Sequence, residues 1–107
     1  MGSAYERTTF YFGLRRPRGV VDDAQWKAFL RDEVTSRFPK GLTVWEADGQ
    51  WRRDDGRIGH ERVKVLLLVH DESPATHAAL RQIVERYKVL FQQKSVLWET
   101  VRVRAAF

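Results

Sequence analysis

The chain has 107 residues, 43% of them hydrophobic and 31% charged, and no cysteine. That length holds one core and one ordinary domain, and the even spread of charge excludes a disordered chain; the absence of cysteine excludes disulfides, thiolate metal sites and a cysteine nucleophile. A formal charge of +5, from 19 basic and 14 acidic residues, favours anionic partners by long-range attraction without naming one.

Met1-Gly2-Ser3-Ala4 reads as an expression scar that stands where a leader was removed, which leaves residues 5–107 as a single domain. From Arg7 to Leu14 the side chains alternate, with Thr8, Phe10, Phe12 and Leu14 on one face and Arg7, Thr9, Tyr11 and Gly13 on the other, the period of a strand. Pro17 and Gly19 break the extended run. Asp22 with Gln25 three residues on is a capping box, and Trp26, Phe29, Leu30 and Val34 follow at helical spacing until Phe38-Pro39 and Gly41 stop the helix.

A second strand is predicted from about Leu42 to Trp51 with a bulge near Gly49, then a hairpin turn at Asp54 to Gly56. The next segment, RVKVLLLVH, is apolar on both faces, which places it in the middle of a sheet. Ser73-Pro74 caps a helix of about five turns whose stripe is Ala79, Leu80, Ile83, Val84, Tyr87, Leu90 and Phe91. The chain closes on a strand in which Leu97, Val101 and Val103 alternate with Trp98, Thr100, Arg102 and Arg104. No stretch approaches the ~20 apolar residues of a membrane span.

The order strand, helix, strand, strand, helix, strand is that of an α+β, ferredoxin-like βαββαβ domain: a four-stranded antiparallel sheet with two helices on one face and the first and third strands central. The expected open face carries Arg7, Thr9, Tyr11, Thr43, Trp45, Lys64, Leu66, Leu68, His70, Trp98, Thr100, Arg102 and Arg104. Covering each large apolar side chain on it is worth ~1.5–3 kcal/mol, so a cover is expected, and a second copy is the one always at hand. A small apolar or anionic ligand is the alternative occupant. RNA-recognition modules share this order, but their third strand supplies rings on which bases stack; VKVLLLVH has none, which disfavours nucleic acid.

YERTTFYFGL, FPKGLTVWEADGQWR, the Glu61–His70 segment and YKVLFQQKSV together resemble a bacterial family of small proteins known only as a domain of unknown function. The resemblance runs from Tyr5 to Phe107 and rests on the combination of R-T-x-x-Y-F-G-L, F-P-x-G-L-T-V and G-Q-W-R. It implies a compact α+β domain and, because many such proteins carry an export leader, weakly favours an exported or periplasmic location; no established activity comes with it. Two positions depart from the family pattern: Val63, where a small hydroxyl residue is expected, and Gln92, where a glycine is.

The histidines, His60, His70 and His77, lack the i, i+4 spacing of a helical metal pair, so no metal site and no cofactor is expected. No nucleophile elbow, phosphate-cradling loop or dinucleotide fingerprint is present. The candidate ligand-binding residues are the open-face set Arg7, Tyr11, Trp45, Leu68, His70, Trp98 and Arg102, with His70 ending the central strand and Arg7 able to clamp a carboxylate or phosphate. The reading is a small basic homodimeric binding module that uses its open sheet face. The rival is a cofactor-independent small-molecule enzyme of the dimeric α/β-barrel type, and a weaker one is single-strand nucleic-acid binding.

Overall fold

The computed structural model describes residues 2–107. Strand β1 (Ser3–Gly13) leads into a tight ladder of β2 (Arg15–Arg16) and β3 (Gly19–Val20), then helix α1 (Asp23–Phe29). The Asp22 carboxylate accepts from the Gln25 amide at 2.8 Å while the Gln25 side chain accepts from the Asp22 amide at 3.0 Å, the reciprocal cap that the sequence predicts. Beyond Phe29 the helix widens into a π-helical turn, Leu30–Thr35, that keeps Val34 wholly buried. Strands β4 (Thr43–Arg52) and β5 (Ile58–His70) form a hairpin closed by the Arg53 amide donating to the Arg57 carbonyl at 2.7 Å. Helix α2 (Pro74–Phe91) starts at the Ser73 cap and ends at Gln92, and β6 (Leu97–Ala105) completes the chain.

The sheet is antiparallel in the order β4-β5-β1-β6, so β1 and β5 are central and both helices lie on one face, the ferredoxin-like arrangement. The core fills the space between. Phe10 and Phe12 rise from β1 into Trp26 and Phe29 of α1 and Leu80, Ile83, Tyr87 and Phe91 of α2, with Leu66 and Leu68 beside them on β5. Phe12 and Tyr87 are 4.4 Å apart centre to centre, and the Tyr87 hydroxyl donates to the Gly13 carbonyl at 2.5 Å, pinning α2 to the end of β1. Each such ring buries ~1.5–3 kcal/mol of side chain, which is why the helices cover this face.

Two strands face the other way from the expectation. Register sets Phe10 opposite Leu66 and Thr8 opposite Leu68, so Lys64, Leu66, Leu68 and His70 share the helix side with the Phe10 row. The alternation of VKVLLLVH is apolar on both faces and carries no orientation of its own; the pairing with β1 supplies it. In β6, Trp98 lies opposite Phe10 and stacks on it at 5.8 Å, which brings Thr100, Arg102 and Arg104 to the helix side too. On this side of the edge strand Trp98 packs half-buried against the core, while Thr100, Arg102 and Arg104 beyond it remain exposed. The expected bulge near Gly49 is absent: β4 pairs without interruption from Thr43↔Leu67 to Arg52↔Ile58. No helix among the described residues is long and apolar enough to cross a membrane.

Candidate functional site

The face turned away from the helices is built in rows across the strands. Trp45, Val65, Tyr11 and Leu97 form one row; Thr43, Leu67, Thr9 and Glu99 the next; Val69, Arg7 and Val101 the one after. Trp45, Val69, Leu97 and Val101 are exposed by 45, 39, 68 and 43% of their surface. Thus β6 presents Leu97 and Val101 to the open side and its arginines to the helix side, the reverse of what an amphipathic strand over its own core does. Among the candidate residues, Arg7, Tyr11 and Trp45 stand on this face as expected. Leu68, His70, Trp98 and Arg102 do not; Val65, Leu67, Val69, Leu97 and Val101 take their place.

A groove of about 600 Å³ runs along the face, floored by Val63, Val65 and Ala47 and walled by Tyr11, Trp45, Trp51 and Leu97. Its far end is polar. The Glu61 carboxylate lies directly over Gly13, where a Cβ would stand 2.6 Å from Oε2, and accepts from the Arg15 amide at 2.9 Å. Trp51 lies likewise over Gly59, and the Arg15 guanidinium sits 5.9 Å from the centre of the Trp51 ring. The two glycines make these close approaches possible. At the Tyr11 end, the hydroxyl donates to Glu99 at 3.3 Å. Desolvation first, and then the Glu99 charge and hydrogen bond, push the Tyr11 hydroxyl above the usual phenol range, against a smaller opposing pull from Arg7.

His70 belongs to a closed cluster on the helix side. Its Nδ1 is 2.7 Å from the Asp71 carbonyl, which can only accept, so in the neutral ring Nδ1 carries the hydrogen and Nε2 accepts from the Thr8 hydroxyl at 2.6 Å. Thr8 in turn is 2.7 Å from the Thr100 hydroxyl. Thr8 is wholly buried, and its hydrogen bonds tie β1 to β5 and β6. Nearby, Glu6 is 2.6 Å from His77 Nε2 and Arg102 is 3.3 Å from Glu72, both joining the sheet to the start of α2. Trp98 lines a separate shallow cleft of about 410 Å³ with Ala78, Arg81, Gln82, Val84 and Glu85 of α2. Among the described residues, no group of three or more His, Cys, Asp or Glu is placed to hold a metal ion.

A family model described as a protein of unknown function, DUF3574, matches residues 7–107. The chain belongs to that family. No curated protein matches it in sequence. Among solved structures, a phage SAM lyase in complex with S-methyl-5'-thioadenosine is similar at a TM-score of 0.67 and 12% identity, over 98% of this chain and 93% of that one. A phage SAM lyase in the apo state gives a TM-score of 0.68 at 10% identity, over 100% and 94%. At such identity the likeness is one of fold. In this chain, Arg7 and Tyr11 stand on the open face, Thr8 hydrogen-bonds across to β5 and β6, Phe12 and Leu14 enter the core, and Gly13 clears space for Glu61.

The residues that sequence reasoning missed are those whose orientation depends on pairing: Leu97 and Val101 on β6, Leu67 and Val69 on β5, and Glu61 over Gly13. A signal for the last was present in Gly13 and Gly59, glycines inside strand-like sequence, which mark a close approach.

Proposed function

We propose that this protein is a self-associating binding module whose open sheet face is covered by a second copy, and that the groove past Tyr11, Trp45 and Trp51 receives a small, flat, largely apolar ligand. The observation that carries this reading is the polarity of β6, where Leu97 and Val101 point away from the protein's own core and remain exposed. Together with Trp45 and Val69 they leave much of the face apolar around Arg7 and Glu99, more than monomers usually leave in water. Four strands at ~4.8 Å spacing and the nine β1 residues paired with β6 at ~3.3 Å each give a face of ~19 by ~30 Å, which with side-chain relief approaches the ~800 Å² per partner of a standard interface. Aromatic walls with Glu61 at one end suit a planar ring that carries a hydrogen-bond donor.

Sedimentation equilibrium tests the first half: a dimer at micromolar concentration is expected, and Leu97→Glu with Val101→Glu yields a folded monomer. A wild-type protein that remains monomeric at about 100 µM sinks the reading. Mass spectrometry of gently purified protein, searched for a co-purified aromatic compound lost in Trp45→Ala, tests the second.

The fold likeness favours one further reading, a cofactor-independent enzyme that acts on a small molecule in the same groove. The similar lyase is in complex with S-methyl-5'-thioadenosine, a flat heterocycle on a thioether-bearing sugar. Incubation with SAM, followed by chromatography for S-methyl-5'-thioadenosine, tests SAM as its substrate; no product above the uncatalysed rate rules SAM out.

A further inference from the structure

The open face holds, on its three central rows, one positive and one negative side chain: Arg7 on β1 and Glu99 on β6. Arg7 is exposed and makes no hydrogen bond or ion pair within the chain among the described residues, while its row neighbours are Val69 and Val101. Left in water the guanidinium is solvated, but burying it unpaired between two valines against a second sheet carries a heavy cost. Glu99 stands diagonally across from it, about 7–8 Å away along the face, and only one of its carboxylate oxygens is engaged, by the Tyr11 hydroxyl at 3.3 Å.

Resting on the proposed sheet-face dimer, the geometry points to a specific two-fold axis: the one that lays Arg7 of each copy on Glu99 of the other. A two-fold between stacked faces lies in the plane between them and reflects each residue across itself. Arg7 meets the partner's Glu99, and the reverse, only where that axis is the perpendicular bisector of the line joining the two. It then crosses the sheet obliquely between Thr9 and Val101. With strands ~4.8 Å apart and same-face residues ~6.7 Å apart along them, the same operation brings Leu97 over Val69 of the other copy and leaves Val101 and Leu67 each beside its own equivalent. Both unpaired charges are satisfied, Trp45 also falls beside its own equivalent, and Val65 lies over Thr43 of the other copy. The Glu61 and Trp51 end of the groove falls outside the overlap, so it stays open as an entrance.

Charge reversal tests this in a form that separates it from the dimer itself. Arg7→Glu sets two like-charge contacts across the seam, and so does Glu99→Arg; each variant alone is expected to raise the dimer Kd by at least about 100-fold. An equimolar mixture of the two single variants restores association, because each of the two contacts then joins an acid to a base: the introduced carboxylate meets the introduced guanidinium at one, and the native Glu99 meets the native Arg7 at the other. The double variant R7E/E99R restores the homodimer to within about 10-fold of wild type. Rescue by mixing shows at once that both singles are folded. A wild-type monomer overturns the dimer reading and this inference with it. A wild-type dimer that neither reversal weakens, or weakened singles that neither mixture nor double variant rescues, overturns the axis and leaves the dimer standing; in the latter case, Arg7 serves an outside anion instead.

Discussion

Replacing Thr8 by valine keeps the shape of a side chain with no exposed surface and deletes one hydroxyl. That hydroxyl donates to His70 Nε2 at 2.6 Å and lies 2.7 Å from Thr100 Oγ1. His70 is 6% exposed, so its ring nitrogen is left without a donor in a place water does not reach, at ~1–3 kcal/mol. Thr100 faces solvent and recovers a partner there, adding little. A loss of about 2 kcal/mol is expected, or about 10 °C in melting temperature for a chain of this length. Urea unfolding at one fixed protein concentration measures it, since association itself adds to apparent stability. The decisive arm is the same substitution in a His70→Leu background, where no ring nitrogen remains to be orphaned and Thr8→Val is expected to cost under ~0.5 kcal/mol. Equal cost in both backgrounds, or less than ~0.5 kcal/mol in the wild type, would refute the hydrogen-bonded hub.

Gly13→Ala brings a methyl to within 2.6 Å of the Glu61 carboxylate, which swings away and releases the Arg15 amide it now holds at 2.9 Å. Exchange at that amide should quicken and stability fall by ~1 kcal/mol; unchanged exchange would show the carboxylate is held elsewhere. Gln92 closes α2 with φ of 53°, the left-handed region that costs a side-chain-bearing residue ~1 kcal/mol. Gln92→Gly and Gln92→Ala both lose the bonds from Arg16, so glycine should be the more stable of the two by ~1 kcal/mol in thermal melts, and parity between them would contradict the cap geometry. The Asp71 carboxylate accepts from the Thr76 hydroxyl at 2.6 Å and the Ser73 amide at 3.1 Å, which holds it below the usual carboxylate range. Because the folded value is the lower one, its contribution is present above the unfolded value of ~3.9 and fades as pH falls through the folded one. Asp71→Asn should flatten the acid limb of the stability curve, and an unaltered limb would rule the contribution out.

The ends of the helices and the order of the strands could be read because their signals are local. Asp22 with Gln25, and Ser73 with Pro74, mark helix starts within four residues, and Asp54 to Gly56 marks the hairpin. The faces of β5 and β6 could not. VKVLLLVH is apolar on both sides, so its orientation is decided by which β1 residue lies opposite Leu66, a fact held by two segments together. In β6, the ordinary rule that apolar side chains face the core fails, because on the helix side only Trp98 packs against the core while Thr100, Arg102 and Arg104 stay exposed. The open face stays apolar where β5 and β6 turn over, because the residues that replace the expected ones are apolar as well: Val65 and Leu67 stand where Leu66 and Leu68 were expected, Leu97 where Trp98 was. Of the seven candidate residues, the three placed correctly are those on β1 and β4, whose two faces differ in character.

The widened turn at Leu30–Thr35 holds one residue more than an α-helical path between the same endpoints needs. Trp26, Phe29 and Val34 enter the core at intervals of three and five, where a regular helix would use three and four. Length variation is thereby given a harmless address: dropping a single residue between Leu30 and Glu33 converts the loop of backbone into an ordinary helical turn and leaves everything from Val34 onward seated as before.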